Sequence, residues 1–254
     1  MKQLWNSFKI AVSMYSRIPV PKSEWTDRNM KYTLCFFPVV GAAAGIFVML
    51  WAKAGAFLQL GTPAYTAGIV LIPVIVTGGI HLDGFMDTAD ALASYQDRGK
   101  KLEILKDPHC GAFAVIACVC YFTAYGAAAS EISPSMLPLL ACGFVMSRAL
   151  SAWSIASFPM AKETGLAASF SGAAHKQTVC VSSAVWTAGS AVLMCLFHFP
   201  AGILCTFAAL ITFVLYYRMS KKQFGGITGD LAGWFLQVCE LSTAVCLAAA
   251  GSII

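Results

Sequence analysis

Gly78-Gly79-Ile80-His81-Leu82-Asp83-Gly84-Phe85-Met86-Asp87-Thr88-Ala89-Asp90 places three carboxylates at the end of an uncharged run covering 54–82, in a chain of 254 residues with only 12 acidic ones. On a helix, Asp83, Asp87 and Asp90 fall at i, i+4 and i+7, so all three project from one face. Like charges that close repel, and no basic residue is interleaved to relieve them. A divalent cation would relieve them. Hard oxygen ligands at this spacing suit Mg²⁺ or Mn²⁺, which keep some waters and take further oxygens from a phosphorylated substrate. The competing reading is an acidic helix start facing solvent, since Asp is favourable near a helix N-terminus.

The long apolar neighbourhood of this motif is typical of the whole chain. Hydrophobic residues make up 58%, charged residues 11%, and mean hydropathy is +0.72; an ordinary soluble domain has about a quarter of its residues charged. Uncharged stretches cover 32–52, 54–82, 108–130, 132–147, 177–217 and 241–254. A bilayer crossing needs roughly 20 apolar residues. The expected fold is therefore all-α, a polytopic membrane protein forming one integral membrane domain over 1–254. Breaking the runs at Gly61-Thr62-Pro63, Ser133-Pro134 and His198-Phe199-Pro200 gives about seven transmembrane helices. They are 33–58, 64–80, 111–130, 136–157, 178–197, 201–217 and 231–252. The segment 1–31 reads as an amphipathic N-terminal piece without a signal-peptide cleavage site. The ten cysteines lie mostly within apolar runs and contain no C-x-x-C pair, so they read as packing residues.

Charge orients these spans. Of the 17 basic residues, 15 fall in the N-terminal segment and in the second, fourth and sixth inter-span loops, and none in the first, third and fifth. Positive loops stay cytoplasmic. The N-terminus and the catalytic loop 81–110 are thus expected on the cytoplasmic side of a bacterial inner membrane, with the active site at that face. The 81–110 loop follows its Asp triplet with Arg98, Lys100 and Lys101, then Lys106-Asp107-Pro108-His109. Metal beside cations is what a polyphosphate requires, although positive-inside anchoring would also account for the cations. The sixth loop, Phe224-Gly225-Gly226-Ile227-Thr228-Gly229-Asp230, offers glycines for close approach of backbone to a ligand and amides at a helix start for an anion. Asp230 is either an N-cap or a fourth carboxylate of the site. Loop 161–170, with Lys162, is polar enough to line a cleft, but a plain connector would look the same. Arg148 and Glu240 both lie roughly 13–15 Å from the cytoplasmic ends of their spans. They form either a structural pair or a charged cavity in which Arg148 meets substrate.

These residues, in this order, resemble the cobalamin synthase family, the adenosylcobinamide-GDP ribazoletransferases of late vitamin B12 biosynthesis. The resemblance begins with Tyr15-Ser16-Arg17-Ile18-Pro19-Val20-Pro21 and Phe36-Phe37-Pro38-Val39-Val40-Gly41. It is densest at His81-Leu82-Asp83-Gly84 with Asp87-Thr88-Ala89-Asp90. It resumes at Leu102-Glu103-Ile104-Leu105-Lys106-Asp107 with Gly111-Ala112-Phe113 and closes at Gly225-Gly226-Ile227-Thr228-Gly229-Asp230. Two positions depart from the family pattern: Ala91, where glycine is usual, and Pro108-His109-Cys110, where a Ser-Arg-Ile sequence is usual.

The resemblance implies attack by a ribose hydroxyl of α-ribazole, or of its 5′-phosphate, on the phosphate joining cobinamide to GMP, with Mg²⁺ as cofactor. It implies Asp83, Asp87 and Asp90 as metal ligands, Asp90 alternatively accepting the hydroxyl's proton, with His81 and Asp230 as further catalytic residues. Substrate binding would fall to Arg98, Lys100, Lys101, Lys106, Asp107, His109, Gly225, Gly226, Thr228, Gly229 and Arg148. The partners implied are the two small-molecule substrates and membrane lipid, without nucleic acid, and a homo-oligomer is compatible with the sequence. Two other readings compete. A CDP-alcohol-type phospholipid synthase shares the chemistry but would need Asp-Gly-x-x-Ala-Arg, and no arginine follows Asp83 until Arg98. A cation-coupled transporter would use Arg148, Glu240 and the Asp face, but the carboxylate motif has no counterpart in the second half of the chain.

Overall fold

The computed structural model describes residues 2–251, and among them every regular element is helical. The helices are α1 (Lys2–Tyr15), α2 (Asp27–Met30), α3 (Phe37–Phe57), α4 (Thr62–Thr77), α5 (Ile80–Ala93) and α6 (Arg98–Ile104). They continue as α7 (Ala112–Glu131), α8 (Leu137–Ser157), α9 (Leu166–Ala173), α10 (Lys176–Phe197), α11 (Phe199–Phe224) and α12 (Gly229–Gly251). All seven predicted spans are present as helices. Six of the crossing segments, built on α3, α7, α8, α10, α11 and α12, are long and apolar enough to span a bilayer singly.

Helix α8 is the centre of the bundle. Fifteen of its 21 residues are buried, against four of 22 in α10, and it packs against α3, α10 and α12. Val181, Val185, Val192 and Leu196 of α10, Phe207, Ile211 and Val214 of α11, and Ile116 and Val119 of α7 point outward. Water would not favour so continuous an apolar exterior; hydrocarbon would. The division of the run 177–217 falls at His198, whose Nδ1 accepts from the Ala201 amide at 3.3 Å and caps α11.

Two expectations need correction. The second span, expected over 64–80, ends at Thr77: α4 has only 16 residues, and α4 and α5 reach a crossing length only as a pair that meets at 95°. Gly78 (φ +66°) and Gly79 (φ +81°) both adopt the left-handed conformation that residues with a Cβ avoid. The Val76 carbonyl that this break exposes accepts the Arg17 amide at 2.8 Å, so the segment after α1 secures the bend. Second, α11 runs on to Phe224, placing Arg218, Lys221 and Lys222 in its last turns rather than in a loop, where they favour the negative end of the helix dipole.

After the bend, α5 packs against α12 and α7. A Cβ on Gly84 would lie 2.7–2.8 Å from the backbone of Asp230, and one on Gly233 would lie 2.9 Å from the His81 carbonyl oxygen. At its far end the Asp90 carboxylate rests against Gly111, the N-cap of α7. The inter-span region 81–110 is therefore mostly helix, α5 followed by α6.

Candidate active site

The i, i+4, i+7 spacing is realised. Asp83 is exposed and Asp87 and Asp90 are half-buried on α5, and among the described residues none of the three carboxylates has a hydrogen bond or ion pair. Asp230 joins them across the Gly84 contact. Burial, together with the charges of Asp83, Asp230 and Asp90, pushes the Asp87 carboxyl up to about 6. A raised carboxyl is what uncompensated like charges produce. Asp230 is not the cap of α12. Thr228 caps the helix, its Oγ1 accepting the Leu231 amide at 3.3 Å and donating to Asp230 Oδ2 at 3.2 Å. The fourth carboxylate is thus held towards the site with its second oxygen available.

Asp83 and Asp230 border a cavity of about 430 Å³, also lined by Tyr15, Phe37, His81, Ser151, Lys162 and Thr228. Its exposed side carries Asp83 and Thr164, while Ser151 and His81 on its inner wall are buried. The aromatic side is built from three parts of the chain: Tyr15 stands 4.1 Å from Phe37 between ring centroids and stacks on His81 at 6.1 Å. Lys162 supplies the one basic side chain among the lining residues. Burial pushes Lys162 below the usual lysine range and Lys106 adds to this, while Asp230 opposes it. Tyr15, Phe37, Ser151 and Lys162 were not legible as site residues from the sequence. Phe37 and Tyr15 lie within motifs of weak pattern, and Lys162 in a loop that reads as a connector.

Other residues expected to bind substrate have different contacts. Arg98 Nε donates to the Lys222 carbonyl at 3.1 Å and buried Lys101 donates to Gln223 Oε1 at 2.6 Å, so both fasten α6 to the end of α11. Lys100 pairs with Glu103 at the surface. His109 turns back on Asp107 at 2.7 Å, exposed and away from the cavity lining, and its amide and ring together hold the Asp107 carboxyl below its ordinary range. Lys106 stands close enough for its charge to act on Lys162. Gly225 ends α11 with φ +84°. Gly226 lets residues 159–161 approach, where Ile227 and the 159–161 segment exchange hydrogen bonds of 2.8 and 2.9 Å in an isolated bridge. Of the glycine motif, Thr228, Gly229 and Asp230 border the cavity, together with Ile227. Arg148 pairs with Glu240 at 2.6 Å, both fully buried, and also donates to the Phe144 carbonyl at 2.9 Å. It supports the bundle beneath the site rather than lining the cavity.

Among the described residues no three His, Cys, Asp or Glu side chains converge into a ready-made metal cage. The donor set has the character of a site that a ligand completes: hard carboxylates from two helices at the edge of a cavity that also holds a cation. Mg²⁺ is bound in this manner, through one or two carboxylates plus substrate phosphates and waters.

Each segment that carries the motif pattern sends a side chain to this cavity: Tyr15, Phe37, His81 and Asp83, Leu105, and Thr228 with Asp230. The profile of the Cobalamin-5-phosphate synthase family matches residues 7–248. The chain is 41% identical to an adenosylcobinamide-GDP ribazoletransferase of Lachnoclostridium phytofermentans over 98% of its own length and 95% of that protein. It is 31% identical to the enzyme of that name from Geobacillus thermodenitrificans (93% of each chain). It is 32% identical to the one from Clostridium perfringens strain SM101 (95% of this chain, 97% of the other). No solved structure matches. With motif, site and whole-length similarity in agreement, the chain belongs to the Cobalamin-5-phosphate synthase family.

Proposed function

We propose that the protein is an adenosylcobinamide-GDP ribazoletransferase that joins the cobinamide phosphate to α-ribazole or its 5′-phosphate and releases GMP. One observation carries the reading: carboxylates from α5 and α12 meet beside Lys162 at the edge of a cavity, in a chain similar to such enzymes along nearly its whole length. Phosphoryl transfer depends chiefly on positioning and on neutralising charge. The cavity, about 430 Å³, lies in the lower part of the roughly 300–1,000 Å³ range of small-molecule sites. It suits a nucleoside with its phosphate. The corrin ring would remain outside, at the exposed edge by Asp83.

Asp83 and Asp87 are the residues proposed to hold Mg²⁺, with Asp230 and Asp90 flanking them. The ion would neutralise charge on the pyrophosphate oxygens. Lys162 is placed to bind a phosphate oxygen bordering the cavity. In the reaction a ribose hydroxyl oxygen bonds to the cobinamide phosphorus, and the bond from that phosphorus to the oxygen of GMP breaks. The hydroxyl proton passes to a carboxylate of the cluster, for which Asp230 is placed on the cavity wall.

The positive ends of the spans support a cytoplasmic orientation in a cell membrane: 15 of the 17 basic residues lie in the segments and helix ends at the Asp83 end of the bundle. Two experiments test these readings. Purified protein in lipid, supplied with adenosylcobinamide-GDP, α-ribazole and Mg²⁺, should release GMP in step with cobalamin; no release with either form of ribazole would reject the activity. In a cysteine-free background, cysteines at Glu163 and Lys222 should be shielded from an impermeant thiol reagent outside intact cells and one at Ser135 labelled. The reverse pattern would reject the orientation.

A further inference from the structure

Two residues of the cavity's inner wall carry buried polar atoms without partners. Ser151 Oγ and His81 Nε2 are buried and, among the described residues, neither makes a hydrogen bond. Leaving a hydroxyl unpaired in an interior is costly, and such orphaned groups call for an explanation. Both residues line the cavity, as do Tyr15, Phe37, Ile155 and Leu236. Tyr15 and His81 present nearly parallel rings (24°), with Phe37 5.6 Å from His81. The wall therefore combines aromatic and aliphatic side chains with two unpaired polar groups, Ser151 and His81. Ser151 and His81 are buried, whereas the charged groups of the lining are more open: Asp83 is exposed, and Lys162 and Asp230 are half-buried.

We infer that this inner wall seats the planar base of the acceptor nucleoside, with Ser151 Oγ donating a hydrogen bond to the unsubstituted ring nitrogen of that base. The inference rests on the proposed function and assigns which substrate enters and by which end. A base with a single ring-nitrogen acceptor satisfies the serine, while its hydrocarbon edge meets Phe37, Ile155 and Leu236. Guanine is a poor occupant: its amide and amino groups would find one hydroxyl and one imidazole and otherwise face hydrocarbon, leaving several polar groups unpaired. The nucleoside consequently enters base first, its ribose hydroxyls directed back towards Asp230 and Asp83, and the GMP portion of the other substrate stays on the Lys162 side. Base selectivity thereby draws on α8 through Ser151 and on α1 through Tyr15, as well as on His81 at the start of the carboxylate motif.

The test is equilibrium binding to the full chain in lipid nanodiscs, which does not depend on turnover. α-Ribazole and an analogue carrying CH in place of the free ring nitrogen are each titrated against the wild-type protein and Ser151→Ala. Loss of one buried neutral hydrogen bond should raise the α-ribazole Kd roughly 2- to 12-fold. The analogue should bind wild-type protein that much more weakly than α-ribazole, and Ser151→Ala should no longer distinguish the two. The analogue arm needs no mutation, so a folding defect cannot imitate it. Equal binding of α-ribazole and the analogue by wild-type protein overturns the inference while leaving the proposed function intact. Failure of wild-type protein to bind α-ribazole or its 5′-phosphate at all, with adenosylcobinamide-GDP bound, overturns both.

Discussion

Gly84→Ala should separate geometry from stability. The added Cβ would lie 2.7 Å from the Asp230 carbonyl oxygen and 2.8 Å from its Cα, about 0.7 Å short of the 3.4 Å where ordinary contact begins. Both obstacles are backbone and cannot rotate aside, so α5 and α12 must separate by a similar amount. Overpacking of this kind costs about 1–3 kcal/mol. Alanine recovers about 1 kcal/mol of helix propensity over glycine. The net loss in stability should therefore be modest, while Asp230 is displaced from Asp83 and Asp87. A misplacement approaching 1 Å in a positioned site can cost about a hundredfold in rate. GMP release by Gly84→Ala in lipid should fall by about that factor, with its thermal midpoint only slightly changed. Gly126→Ala is the matched control: it lies within α7 and its Cβ would meet nothing within 4 Å, so activity should be retained and stability kept or improved. Turnover by Gly84→Ala within twofold of wild type would refute the shared α5–α12 site.

The same site makes three further claims. Asp230→Ala should impair GMP release as severely as Asp87→Ala, and the double variant should be scarcely worse than either, since groups acting as a unit are non-additive; losses that multiply would place Asp230 outside the unit. With the Asp87 carboxyl pushed up from 3.8 to about 6, the folded protein holds a proton that the unfolded chain gives up, so metal-free stability should fall as pH rises from about 4 to 6. Mg²⁺ should restore it above pH 6, and Asp87→Asn should flatten both effects in a thermal-shift series; a metal-free midpoint that rises over that interval would contradict the sign. Lys162→Ala should raise KM for adenosylcobinamide-GDP by about ten- to a hundredfold, the value of a charge-assisted hydrogen bond, and leave the Kd of α-ribazole nearly unmoved. An equal rise for both substrates would remove Lys162 from the phosphate side.

Much of this architecture was legible in the sequence because membrane helices are long uncharged runs and because an i, i+4, i+7 pattern needs no tertiary knowledge. The bend was not. Hydropathy passes through Gly78-Gly79 without a break, and two left-handed glycines leave no trace in composition. The end of α11 was missed for the opposite reason: Arg218, Lys221 and Lys222 read as a loop, yet charges in a last turn are compatible with helix. Asp230 could be assigned as carboxylate or cap only once Thr228 was seen capping α12. Several of the cations that read as phosphate ligands, Arg98 and Lys101 above all, are consumed by helix-end carbonyl and amide groups that adjoin them only in three dimensions. Lys162, with no motif around it, is the cation that the fold brings to the cavity.

The bend also explains why an acidic face can belong to so apolar a pair of helices at all. Continued straight, α4 and α5 together would form a rod of roughly 48 Å at 1.5 Å per residue, longer than the roughly 30 Å hydrocarbon core. The three carboxylates would then stand clear of the bundle in water, too far from α12 to meet Asp230. A shorter rod would instead sink them into hydrocarbon, where ionised carboxylates are expensive. Turning at Gly78-Gly79 keeps Asp83 exposed yet brings Gly84 against Asp230, so the site faces solvent along one edge and packed protein along the other. Below it, the Arg148–Glu240 pair joins α8 to α12, the two helices that contribute Ser151 and Asp230. Removing either partner would strand a buried charge at a cost of about 3–5 kcal/mol. The charged residues of this apolar chain thus divide by depth: a self-neutralised pair within the bundle fixes the helices, and an uncompensated set of carboxylates stands at its edge.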